Sequence, residues 1–106
     1  ELTQKAKTGT LDAREVVDGT FTVSNLGAWG IDWFTPIINP PQVAILGVGS
    51  VARIPQEAPA GVTFISAIRL CLVFDHRVVD GVGAAALLHT LCATLADPAQ
   101  VFGPAA

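Results

Sequence analysis

Charge is scarce in this chain of 106 residues: 14% of it is Asp, Glu, Lys or Arg, against 51% hydrophobic. The six Lys and Arg are scattered and outnumbered by nine Asp and Glu, for a formal net charge of −3. That leaves no basic footprint and excludes nucleic acid as a partner. Long apolar runs are also missing. None reaches the roughly 18 residues of a membrane-spanning helix, so no membrane partner is expected. Cysteine is confined to Cys71 and Cys92, both inside apolar runs, where a thiol behaves as a small hydrophobe. They read as reduced core residues, which favours a reducing compartment. Cys-x-x-Cys, His-x-x-x-His and His-Glu-x-x-His patterns do not occur, so no metal site is expected. Internal repeats and low-complexity segments are absent as well. The opening E-L-T-Q-K-A-K resembles neither a signal peptide nor a natural start, so the chain reads as part of a longer polypeptide.

The charge that exists is unevenly placed. Residues 1 to 18 carry seven of the fifteen charged side chains, and three of the remaining eight fall between Asp75 and Asp80. So apolar a composition after residue 18 implies surfaces covered by other chain segments or subunits. E-L-T-Q-K-A-K-T-G reads as a helix ending at Gly9, and L-D-A-R-E-V-V as a short helical turn with Asp12 near its start. Asp18-Gly19 marks a turn. In T-F-T-V-S-N, Phe21 and Val23 alternate with Thr and Ser, which predicts a half-buried strand with Ser24 near its end. Pro36, Pro40 and Pro41 make the next stretch a loop. Q-V-A-I-L-G-V-G-S-V-A-R-I is apolar on both faces, as in a central strand, and Pro55 and Pro59 are expected to close it. From Val62 to Phe74 one parity is almost wholly apolar, predicting one long strand. G-V-G-A-A-A-L-L-H-T-L-C-A-T-L-A then predicts a helix, with Asp80 as N-cap, a stripe of Ala84, Leu87, Leu88, Leu91 and Leu95, and a stop at Asp97-Pro98.

Two glycine patterns resemble phosphate-binding turns. G-V-G-S-V-A follows a strand, but A-R-I-P-Q-E-A-P supplies no helix after it, so a dinucleotide site is rejected. G-V-G-A-A-A is separated from its strand by D-H-R-V-V-D, and its glycines are read as allowing close packing of the helix start. His89 lies mid-helix among apolar neighbours, as a packed or surface histidine. His76 differs, because it follows a hydrophobic strand directly and is flanked by Asp75 and Arg77, four residues ahead of Asp80. A histidine so placed suits general-base chemistry on a thiol or hydroxyl. Read from the residues alone, a structural salt-bridge cluster fits equally well. Acyl transfer also needs a donor for the developing oxyanion. Ser24 is a candidate, with capping of the S-N-L-G turn as the competing use.

T-F-T-V-S-N-L-G, F-T-P-I-I-N-P-P-Q-V-A-I-L-G-V-G and L-C-L-V-F-D-H-R-V-V-D-G together resemble one family. It is the dihydrolipoyl acyltransferase components of 2-oxo acid dehydrogenase complexes, matched over the C-terminal half of their catalytic domain. Chloramphenicol acetyltransferases and condensation domains are similar through H-x-x-x-D-G, but they typically carry a second histidine where Asp75 stands. The resemblance implies an α/β fold, a two-layer sandwich of a mixed sheet covered by helices, chloramphenicol acetyltransferase-like, with residues 1–106 forming part of that domain and no lipoyl or subunit-binding domain. It implies His76 as general base, Ser24 as oxyanion donor reaching a histidine of a neighbouring subunit, and Asp80 holding the loop or helix start. Asp75 and Arg77 take structural roles. Coenzyme A is the implied substrate, and the lipoyl group is carried on a separate domain. The implied partners are a homotrimer or larger core and the decarboxylating dehydrogenase and dihydrolipoamide dehydrogenase components. The implied location is the bacterial cytoplasm, or the mitochondrial matrix in a eukaryote. The ending A-D-P-A-Q-V-F-G-P-A-A lacks a leucine-rich anchor, which favours trimers over a cage. The alternatives are a non-catalytic core-forming assembly module and an acyltransferase with a different small acceptor.

Overall fold

The computed structural model describes residues 1–15 and 18–99. Helix α1 (Leu2–Thr8) ends as expected at Gly9, whose φ of 72° closes the last turn with its N–H on the Ala6 carbonyl. A single 3-10 turn (Ala13–Glu15) follows, in which Asp12 accepts the Arg14 N–H at 2.9 Å. The last two residues of L-D-A-R-E-V-V lie outside the described residues, as does everything after residue 99, including most of the terminal stretch.

The body of the molecule is a three-stranded sheet in the order β1 (Thr22–Asn25), β2 (Ala44–Val48), then a strand at Leu70–Phe74. Numbered in chain order, that last strand is β5, because β3 (Ala52–Ala58) and β4 (Gly61–Ala67) form a separate hairpin. β1 runs parallel to β2 with Ser24 level with Gly47, and β5 runs antiparallel to β2 with Gly47 level with Cys71. The sheet is therefore mixed, as expected.

β2 is central, and its unbroken apolar run follows from cover on both faces. Successive side chains of a strand point to opposite sides. Val23, Leu46 and Leu72 share one side with helix α2 (Gly81–Ala96), which presents Leu87, Leu88 and Leu91 across a wholly apolar cleft of about 320 Å³. Gly47 is on the other side, where a Cβ would press on Phe34 and Pro36 at 3.1 Å, so the proline-rich loop is the second cover. Ala44, Ile45, Leu46 and Ala84 form the buried hydrophobic core among the described residues. Burying a side chain such as Ile45 or Leu46 contributes about 1.5–3 kcal/mol.

The predicted helix at 81–96 and its Asp80 cap are both present. Three other expectations are corrected. First, the runs at 42–54 and 62–74 are not single strands. Each breaks, at Gly49–Val51 and at Ile68–Arg69, where the Gly49 N–H donates to the Arg69 carbonyl at 3.0 Å and the Ser50 N–H to that of Ile31 at 2.7 Å. Second, Pro55 closes nothing. It sits mid-strand in β3 opposite Phe64, tolerated because a two-stranded ribbon is all edge and one side of each strand has no ladder to lose. Third, Cys71 is half-buried and Cys92 exposed, so the latter is not a core residue; both are free thiols. Phe21 and Val23 face α2 but remain 44% and 60% exposed, since the cleft beneath the helix is open. No helix among the described residues is long and apolar enough to cross a membrane.

Candidate active site

β5 delivers its last residues to a loop at the sheet edge. The Asp75 N–H donates to the Val43 carbonyl at 2.7 Å, extending the β2–β5 ladder one residue beyond the strand. The chain then turns about Asp75. Its carbonyl accepts the Val78 and Val79 N–H groups at 3.0 Å each, and its carboxylate accepts the Arg77 N–H at 3.0 Å. The same carboxylate takes a two-point contact from the Arg77 guanidinium, Nε at 3.0 Å and Nη2 at 2.8 Å. These bonds, the guanidinium first and the backbone N–H second, hold the Asp75 carboxyl down at about 2 and raise the Arg77 pKa. Asp75 and Arg77 thus form a structural clamp, as the motif suggested.

Four residues after His76, Asp80 closes the loop from its other end. Its Oδ1 accepts the Gly83 N–H at 2.7 Å, satisfying one of the unpaired donors of the first turn of α2. His76 stands between the two anchors. It is exposed, its ring lies 5.7 Å from that of Phe74 at 34°, and among the described residues its nitrogens make no hydrogen bond. It borders a cleft of about 420 Å³ whose other wall is Ile38, Pro40, Pro41 and Gln42. Reasoning from local sequence did not place those four at the site. Their only signal was the P-I-I-N-P-P-Q segment in the family resemblance, because nothing in the residues says that this loop returns to the end of β5.

Ser24 is half-buried on β1, and its hydroxyl makes no hydrogen bond among the described residues. The competing use as a turn cap is filled by its neighbour: Asn25 Oδ1 accepts the Gly27 N–H at 2.8 Å. Within one chain Ser24 does not approach His76. It is level with Gly47 and Cys71, and His76 lies five residues further along β5 and two strands across. At about 3.4 Å per residue and about 4.8 Å per strand, the two are roughly 20 Å apart. A reacting carbonyl needs both within about 3 Å. One chain therefore holds the His76–Asp80 half of the predicted constellation, and Ser24 belongs to a different location. Among the described residues no three His, Cys, Asp or Glu side chains gather as a metal would require.

The model of the family described as 2-oxoacid dehydrogenases acyltransferase (catalytic domain) matches residues 1–103. The chain belongs to that family. Among its relatives is the dihydrolipoyllysine-residue succinyltransferase component of the 2-oxoglutarate dehydrogenase complex of Azotobacter vinelandii, 42% identical over 101 residues that cover 95% of this chain and 25% of the relative. Among solved structures, the dihydrolipoamide acetyltransferase of Azotobacter vinelandii superposes with a TM-score of 0.89 at 38% identity, over 95% of this chain and 42% of that one. The cubic core of a pyruvate dehydrogenase multienzyme complex does so at 0.89 and 37%, with the same coverage. The α/β fold is thus that of the family's catalytic cores. The chain spans about a quarter of the length of the curated relative and under half of the solved ones.

Proposed function

We propose that the protein transfers a short acyl group between dihydrolipoamide and coenzyme A, as the C-terminal part of an acyltransferase catalytic domain in a 2-oxo acid dehydrogenase complex. The observation that carries this reading is the state of His76: an imidazole with no hydrogen bond among the described residues, beside a cleft, on a loop locked at both ends by Asp75 and Asp80. A merely structural histidine in so constrained a loop would be expected to bond to it, and a non-catalytic assembly module leaves the free ring without a use.

In the proposed step the imidazole takes the proton of the attacking thiol as its sulfur adds to the thioester carbonyl. The tetrahedral oxyanion accepts a hydrogen bond from the Ser24 hydroxyl. Collapse then expels the second sulfur, which recovers the proton from the imidazolium. No covalent enzyme intermediate is required. Asp80 is a positioning residue, fixing the start of α2 behind the loop. The roughly 20 Å between Ser24 and His76 in one chain supports an active site assembled from two copies, in a trimer or a larger core. Spacing supports the same residues. The catalytic mechanism of the solved Azotobacter vinelandii acetyltransferase was investigated at a serine, a histidine 52 positions later and an asparagine 4 after that. Here 76 − 24 is also 52 and 80 − 76 is 4, with Asp80 where that enzyme has asparagine. The lipoyl group would arrive on a separate domain, and the decarboxylating dehydrogenase and dihydrolipoamide dehydrogenase would supply and reoxidise it.

His76→Ala in the intact protein should lower turnover with dihydrolipoamide by at least roughly 10²-fold while leaving the fold unchanged. Acyl transfer at near the original rate in a folded His76→Ala protein rules the assignment out.

A further inference from the structure

The cleft beside His76 holds a polar group that the proposed step leaves unused. The β2–β5 register pairs Ala44 with Phe74, and the Asp75 N–H on the Val43 carbonyl carries it one residue further. Continued once more, that register sets Gln42 opposite His76, and both line the same cleft of about 420 Å³. The Cβ atoms of directly opposed residues stand about 5 Å apart. A molecule that reaches the imidazole is therefore within reach of the Gln42 amide.

Gln42 is half-buried, and its side chain is held from two sides. Its Oε1 accepts a hydrogen bond from the Thr22 hydroxyl of β1 at 2.5 Å. Its Nε2 lies over Gly19, where a Cβ would stand 3.1 Å away. The bond from Thr22 decides which end of the amide is spent. Among the described residues Nε2 donates to nothing, so both of its N–H groups are left for a ligand.

The rest of the cleft narrows what those donors would meet. Ile38, Pro40, Pro41 and Phe74 are apolar, and the charges of Asp75 and Arg77 are paired with each other at 2.8 Å. In a cleft of this kind a few fixed polar groups set the orientation of the ligand. A neutral donor beside a hydrocarbon wall suits a neutral acceptor on a methylene chain, whereas a phosphate calls for a charged partner. Both thiol substrates of the proposed reaction have that chemistry, since each carries its sulfur on a flexible methylene arm that includes an amide.

We infer that the Gln42 side-chain N–H donates to an amide carbonyl on the arm of a thiol substrate, seating that arm along the proline wall with its sulfur at His76. The inference rests on the acyltransferase reading of His76 and adds a substrate-binding residue to it. Gln42 takes no part in the proton transfer.

The test is steady-state acyl transfer by the intact protein, with coenzyme A and dihydrolipoamide varied in turn. Gln42→Ala should raise the KM of at least one of them about 3- to 10-fold, the loss of one neutral hydrogen bond, with a smaller effect on kcat. Which KM rises tells whether the seated arm is that of coenzyme A or of dihydrolipoamide, and either result supports the inference. With ethanethiol, which has no amide, in place of the affected substrate, the difference between Gln42→Ala and wild type should vanish. An equal loss with ethanethiol overturns the inference, because the substitution would then act through the fold. Should Gln42→Ala fail to fold, Gln42→Glu keeps an acceptor for Thr22 without the N–H and should raise the same KM. Unchanged KM values in a folded variant, with or without a fall in melting temperature, also overturn it. A wild-type protein that transfers no acyl group refutes the acyltransferase reading and this inference with it, whereas an active protein indifferent to Gln42 refutes the inference alone.

Discussion

The β1-β2-β5 body and the β3–β4 hairpin both carry large apolar residues on their strands, yet one supplies its own cover and the other does not. Ala44, Ile45 and Leu46 of β2 are buried because α2 closes one face and Phe34 and Pro36 close the other. Val62 and Phe64 of β4 have the same kind of side chain and stand in water. Strand sequence alone does not decide burial. The next layer does, and the hairpin's next layer is not within the described chain.

Four substitutions or conditions probe this contrast, from the largest expected effect downward. Leu46→Ala should cost about 2–5 kcal/mol by chemical denaturation, whereas Val62→Ala should alter subunit stability by less than about 0.5 kcal/mol. Similar losses at both positions would erase the distinction between body and hairpin. Gly49→Ala should cost about 1–3 kcal/mol, because a Cβ there overlaps the Asp32 carbonyl oxygen at the root of the hairpin and the backbone must shift. Unchanged melting would mean that this contact is loose. Asp80→Ala should cost about 1 kcal/mol through loss of the α2 cap, and should lower turnover with little effect on substrate KM. Asp80→Asn, which still accepts from the Gly83 N–H, should restore most of both. The smallest effect concerns acid. The Asp75 carboxyl is depressed to about 2 by Arg77, so the clamp contributes in full above the unfolded value of about 3.9 and is lost as pH falls from about 4 to 2. Arg77→Gln should remove that segment of the pH–stability curve, and an identical acid limb in the variant would show that the clamp is inert.

Much of the site was legible because its signals are local. Asp80 caps α2 through a hydrogen bond to the third residue after it, and Asp75 organises its turn through bonds to Arg77, Val78 and Val79, so both roles follow from short-range spacing. The strand breaks were illegible for the opposite reason. Val62, Phe64, Leu70, Leu72 and Phe74 keep one parity straight through Ile68 and Arg69, so the alternation carries no mark of the chain leaving one sheet and joining another. The cause is a long-range pairing between Gly49 and Arg69. Pro55 misled in the same way, since whether proline ends a strand depends on whether its missing N–H faces a neighbour.

The sequence by itself determined the helix at 81–96 with its cap, the two-sided burial of β2, the polar turn that displays His76, and membership of an acyltransferase family through motifs that each sit within a few residues. Only the tertiary structure decided that Ile38 to Gln42 wall the cleft beside His76, that Asn25 rather than Ser24 caps its turn, and that Ser24 lies roughly 20 Å from the His76 of its own chain. The physical reason is reach: a cap or a tight turn is fixed by neighbours along the chain, whereas the distance between two strand ends is set by sheet order and register, which periodicity does not encode.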